Sequence, residues 1–257
     1  GRGEEAVAAY RELIERVGRS EEPALRGQVA RAMLGLGVWL GQLDRGEEEA
    51  AAYRRLIQQF GESEEPALRE QVARALLYLG VTLGQLGRGE EAVAAYRDLI
   101  ERFGSSEEPA LREQVARALL ARAQVLFLLQ RPSEARAELK EAARLIAAGV
   151  PVGLESARTA IELLLVGLPT SEARSAVKQL AQSGDQSVSE LARLHLLVVG
   201  VLEAEQGSGR AKGSRAARRK RALARVPVEL RATVADAARR VARLREAAAA
   251  DGGGSPG

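Results

Sequence analysis

Through its first half the chain repeats itself every 43 residues. Gly3-Glu4-Glu5-Ala6 returns as Gly46-Glu47-Glu48-Glu49 and as Gly89-Glu90-Glu91-Ala92, Tyr10 returns as Tyr53 and Tyr96, and Pro23 as Pro66 and Pro109. Residues 44–86 and 87–129 are identical at 29 of 43 positions, far more than shared composition produces. A tandem period of this length confines the fold. Each repeat is one supersecondary unit whose apolar face it cannot bury alone, and stacked neighbours bury it.

Each repeat reads as two helices. The first opens at Ser63-Glu64-Glu65-Pro66-Ala67-Leu68 in the middle repeat, with a serine expected as N-cap, acids at the positive end of the helix dipole and a proline in the first turn. Val72, Leu76, Leu79 and Leu83 then follow at helical spacing. Gly87-Arg88-Gly89 makes the turn, and the second helix carries Ala92, Tyr96 and Leu99 inward. It stops at Gly104, expected in a left-handed C′ conformation.

Composition agrees with helices. The chain is 46% hydrophobic but only 3% aromatic, so its core is built from Ala, Leu and Val, which suits packed helices better than a sandwich or barrel. With 257 residues it can bury a sizeable core, which argues against wholesale disorder. The absence of cysteine excludes a disulfide framework, a thiolate metal site and a cysteine nucleophile, and the single histidine, His195, excludes a multi-histidine metal cluster. His195 lies among aliphatic residues and reads as a structural side chain. The adjacent Glu90 and Glu91 point in different directions on a helix and recur in each repeat, so they read as helix-start electrostatics rather than an acid/base pair. Neither a cofactor nor catalysis is expected.

The run Leu79-Gly80, Leu83, Ala92, Tyr96 resembles the signature of the tetratricopeptide repeat (TPR): Leu-Gly, a bulky residue, a small alanine and an aromatic at these offsets. The resemblance covers roughly residues 1–145, as a lone second helix and then pairs opening near Ala24, Ala67 and Ala110. It implies an all-α fold, a right-handed superhelical solenoid of antiparallel helix pairs. The usual TPR unit is about 34 residues long, so about nine more are placed here at the joint, lengthening the first helix of each pair. Departures are Glu49 for the small alanine, Arg122-Ala123 for Leu-Gly, and Leu139 for the tyrosine.

The family's concave surface is lined mainly by the first helix of each pair. Alignment on Gly37, Gly80 and Ala123 carries that lining to Arg31, Leu34 and Val38, to Arg74, Leu77 and Val81, and to Arg117, Leu120 and Gln124. The expected lining is a ladder of arginines beside an apolar floor, suited to a protein or peptide partner that is acidic with apolar anchors. The alternative is that the arginines only pair with glutamates of the next repeat. Family members that clamp a terminal carboxylate use asparagine and lysine; this chain has no asparagine, so that clamp is not expected.

Beyond Gly149 the repeat blurs. The expected organisation is repeats over 1–148, the first of them partial, and degenerate helical repeats over 149–206 with helices at 153–167, 171–183 and 187–205. A basic Gly/Ser/Arg-rich linker follows over 207–227, then a C-terminal helix over 228–250 and a flexible tail over 251–257. The linker carries Arg210, Lys212, Arg215, Arg218, Arg219, Lys220, Arg221 and Arg225 without an acid, and these eight cations against a whole-chain net of +3 leave the remainder at −5. This run is the candidate polyanion-binding segment, giving nucleic-acid binding as the alternative function, though no aromatic is there for base stacking. Gly209-Arg210-Ala211-Lys212-Gly213-Ser214 has the wrong order for a phosphate loop and no strand before it.

No apolar stretch is long enough to span a membrane, and the expectation is a cytoplasmic protein, with an upstream targeting segment left open. The reading is therefore a non-enzymatic scaffold for protein–protein interaction. A regulatory fragment of a larger multidomain enzyme stands as a further alternative, because the chain opens without methionine inside a repeat.

Overall fold

The computed structural model describes residues 1–18, 20, 22–206 and 214–251. Among these the chain is all-α, without a strand. It divides into two compact bodies, Gly1–Val125 and Leu126–Gly257.

In the first body the helices follow the 43-residue period: α1 (Arg2–Val17), α2 (Pro23–Gln42), α3 (Gly46–Phe60), α4 (Pro66–Gln85), α5 (Gly89–Phe103) and α6 (Pro109–Leu128), the last running on past Val125. The first helices of the pairs have 20 residues and the second helices α3 and α5 have 15. Consecutive helices pack in order from α1 to α5, and α2 also packs on α4. The stripes read from the sequence form the core: Val72, Leu76, Leu79 and Leu83 of α4 and Ala92, Tyr96 and Leu99 of α5 are all buried. Residues 80 and 96 meet inside one pair. A Cβ on Gly80 would lie 2.4 Å from Tyr96 Cε1, and one on Gly37 would lie 2.3 Å from Tyr53 Cε1.

Two local expectations are corrected. The N-cap of α4 is Glu65, not Ser63. Proline at the first helical position forces the residue before it into extended backbone (φ −63°, ψ 121°), so the cap is the residue directly ahead of the proline. Ser63 Oγ instead accepts the Glu65 N–H at 3.3 Å, and Ser20 and Ser106 do the same for Glu22 and Glu108 at 3.2 Å. Nor is Gly104 left-handed; its φ is −61° and its N–H continues the helical pattern to the Ile100 carbonyl. The left-handed position falls at the other turn of the repeat, at Asp44 (φ 56°), Gly87 (φ 75°) and Gln130 (φ 58°), where the first helix of each pair turns into the second.

The second body contains α7 (Pro132–Ala147), α8 (Leu154–Gly167), α9 (Thr170–Leu180), α10 (Gln186–Gln206), α11 (Arg215–Ala224), a 3-10 turn over Val228–Leu230, and α12 (Arg231–Asp251). Here the packing is no longer simply sequential. α10 touches α8, α9, α11 and α12, and α12 also covers α8. The linker expected over 207–227 is corrected for 215–224, which form α11. Its alanines alternate with basic residues that are good helix formers, and Ser214 Oγ caps it by accepting the Ala217 N–H at 3.3 Å. The C-terminal helix begins at Arg231 instead of 228, because the first three residues turn as a 3-10 helix.

Candidate functional site

Arginine and glutamate join successive repeats of the first body along three lines, each repeated at the 43-residue period. Arg26 reaches Glu65 and Arg69 reaches Glu108, both at 2.6 Å. Arg11 pairs with Glu48 at 2.8 Å and Arg54 with Glu91 at 3.2 Å. Arg45 reaches back to Glu4 at 3.2 Å and Arg88 to Glu47 at 3.0 Å. Arg26 and Arg69 also stack over Phe60 and Phe103, at 6.0 and 5.8 Å from the ring centroids. Each pair is at least partly exposed and screened by solvent, so the lines set register more than stability. The Arg88 guanidinium hydrogen-bonded to Glu91 holds that carboxyl below the usual carboxylate range.

The expected lining residues occupy corresponding places on α2, α4 and α6. Leu34, Leu77 and Leu120 are only 6, 5 and 4% exposed and belong to the core, so the apolar floor is not theirs to offer. Val38 and Val81, at 38 and 41%, are open to solvent, as is Gln124. Of the arginines, Arg74 and Arg117 contact Glu70 and Glu113 one turn earlier on their own helices, at 3.8 and 3.4 Å. These are acids of the same helix, not of the next repeat. At the matching place on α2 stands Gly27, and Arg31 is exposed with no acid in reach among the described residues. Tyr78, four residues beyond Arg74 and three before Val81, shares their face; it is half-buried, its ring 5.9 Å from that of Tyr53. The sequence reading missed Tyr78 because its counterparts are Gly35 and Ala121, so it leaves no periodic trace.

The basic run is divided by the structure. Arg210 and Lys212 lie outside the described residues, as does most of the Gly209–Ser214 stretch. Arg215 opens α11. Arg218 turns inward and donates to the Ala204 and Glu205 carbonyls at 3.1 and 2.9 Å, covering the C-terminal end of α10. Arg219 donates to the Ala235 carbonyl at 2.9 Å and lies 3.3 Å from the buried Glu205 carboxylate. Lys220, Arg221 and Arg225 face solvent.

His195 is buried, 6% exposed, with Nδ1 donating to the Leu191 carbonyl at 2.8 Å. Burial pushes its pKa below the ordinary histidine value, against Glu162 of α8, which raises it; Arg240 of α12 and Arg158 of α8 lower it further. The folded chain therefore resists a proton that the unfolded chain accepts. Stability is complete above the ordinary value and falls as pH drops through about 6.5 towards the folded pKa. A melting temperature that declines from about pH 7 to pH 5 in the wild type and stays nearly flat in His195→Leu is the expected result, since no other histidine titrates there. Among the described residues no group of His, Asp and Glu is placed to hold a metal, and no helix is long and apolar enough to cross a membrane.

The stack of helical hairpins in the first body defines the class, an all-α array of helical repeats. Residues 74–106, the second part of α4 through the end of α5 and the start of the following joint, match the family model of the tetratricopeptide repeat. This is the segment that brings Gly80 against Tyr96. Among curated proteins none matches the chain. Tetratricopeptide repeats generally mediate protein–protein interaction, and an all-helical repeat fold of this kind is typically non-enzymatic.

Proposed function

We propose that the chain is a scaffold that holds a protein or peptide partner in a groove on the face shared by α2, α4 and α6. The partner supplies acids to Arg31, Arg74 and Arg117 and apolar side chains to Val38, Tyr78 and Val81. Support comes above all from the exposure of Val38 and Val81 at corresponding places beside those arginines, while the leucines between them are buried. Two apolar side chains left in water at the same point of successive repeats gain nothing in the core, and they gain contact area when a partner covers them. The arginines add charge-assisted hydrogen bonds to carboxylates, and a surface already formed by the stack saves ordering entropy on binding.

Charge reversal tests this reading. Arg31→Glu breaks no ion pair among the described residues, and Arg74→Glu breaks only one loose contact to Glu70, worth about 0.3–0.5 kcal/mol. Both variants are expected to melt within about 2 °C of the wild type. On an array of acidic peptides carrying apolar anchors, both are expected to lose the sequences that the wild type retains. Equal and sizeable losses of melting temperature in the two variants would instead make the ladder structural.

A further inference from the structure

The surface described above, if it is the binding face, has dimensions that select the partner's backbone. Its arginine row and its valine row are seven residues apart on each helix, Arg31 to Val38 and Arg74 to Val81, which is about 10 Å at 1.5 Å per residue. The helices that carry the rows, α2 and α4, pack directly, so corresponding residues of neighbouring repeats stand about 8–10 Å apart. The result is a grid of about 10 Å in both directions, with Tyr78 half-buried between the two rows.

A β-strand does not match this grid. Its side chains return to one face every two residues, about 6.7 Å, or every four, about 13 Å. A polyproline helix matches one direction, returning every third residue at about 9 Å, but it is too narrow to serve both rows at once. An α-helix laid across α2 and α4 matches both. Two of its turns advance about 10.5 Å in seven residues, and its diameter of about 10–12 Å spans the rows. We infer that the partner segment is an acidic amphipathic helix, with carboxylates every seventh residue over the arginine row and an apolar stripe about 100° round the helix over Val38, Tyr78 and Val81.

The face is also polarised. Arg74 and Arg117 share their charge with Glu70 and Glu113, whereas Gly27 stands at the matching place before Arg31, which has no acid opposite it among the described residues. The α2 end is therefore the strongest acceptor of a carboxylate, and the partner's indispensable acid lies there. A Cβ at Gly27 would meet nothing within 4 Å, so the helix has room for a side chain to start there. A glutamate would supply Arg31 with the acid that its counterparts already have.

The test uses two synthetic peptides of equal charge, read by fluorescence anisotropy against the full chain. One is a stapled 21-residue helix with glutamate every seventh residue and a leucine stripe; the other is a proline-rich peptide with glutamate every third residue. The helix is expected to bind at least about tenfold more tightly. Arg31→Glu is expected to weaken it by about tenfold or more and Arg117→Glu by less. Gly27→Glu should lower affinity about threefold or more while raising the melting temperature, because glutamate replaces glycine inside α2. Stronger binding of the proline-rich peptide, sensitive to Arg31 and Val81, would overturn the helical partner and leave the binding face standing. Binding of neither peptide, or binding indifferent to Arg31→Glu and Val81→Glu, would overturn the face itself.

Discussion

Gly80→Ala is expected to destabilise the first body by about 1–3 kcal/mol, although it adds one methyl group to a helix that should welcome it. Alanine is the better helix former by about 0.5–1 kcal/mol, so the local effect is favourable and the loss is entirely one of packing. The added Cβ would stand 2.4 Å from Cε1 and 2.6 Å from Cζ of Tyr96, a ring only 2% exposed. A buried ring held on all sides moves only by displacing its neighbours. Burial also pushes the Tyr96 hydroxyl well above its ordinary pKa, so the ring stays neutral through the working range. Tyr96→Leu in the same chain is expected to relieve the clash. The third repeat already carries that combination, with Ala123 and Leu139 where the others have glycine and tyrosine. A double-mutant cycle by urea denaturation should return a coupling of at least about 1 kcal/mol between positions 80 and 96. Strict additivity would mean that glycine serves no close approach there.

The same pair shows how much of the fold was legible in the sequence. The period alone located the helices of the first body, because Pro23, Pro66 and Pro109 open the first helices and the Gly-Glu-Glu runs open the second. Apolar spacing identified the buried stripes. The caps were less legible, since a serine three residues before a proline can serve the helix or the turn ahead of it, and only backbone geometry separates the two. The ladders from Arg26 to Glu65 and from Arg69 to Glu108 were hidden by their span of 39 residues, which no rule of local spacing covers. Once the period is known, an acid and an arginine recurring at fixed separation are a usable signal. The lining was half legible. Alignment placed Arg31, Arg74 and Arg117 on the first helices, but on a 3.6-residue helix the position three beyond an exposed residue can turn into the core. Leu34, Leu77 and Leu120 did so. Charge density misled the reading of α11, because a run of arginines looks solvated until carbonyls of neighbouring helices accept their hydrogen bonds.

Those inward arginines carry the last expectation. Arg245 of α12 is half-buried, and burial lowers its pKa from the ordinary arginine value without removing its charge. It donates from Nε to the Leu165 carbonyl at 2.6 Å, from Nη1 to Thr170 Oγ at 2.8 Å and from Nη2 to the Leu168 carbonyl at 3.3 Å. Arg136 of α7 takes the neighbouring Gly167 carbonyl at 2.7 Å. Between them they satisfy carbonyls at the end of α8 that have no partner within the helix. Besides these contacts, the Arg240–Glu162 pair at 2.7 Å and the Arg219 bond to the Ala235 carbonyl, the buried apolar residues of α12 among the described side chains are Val234, Ala238 and Val241, a small face. Arg245→Met keeps the aliphatic stem and removes the charged donors, and it should cost about 1.5–3 kcal/mol locally. Hydrogen exchange is the measurement. Protection should fall by about 10–100-fold in the last turn of α8 and along α12, and by less in α9. A uniform loss throughout the second body would mean that α12 opens only with the whole of it, and unchanged protection in α12 would mean that Val234, Ala238 and Val241 hold the helix without the arginine.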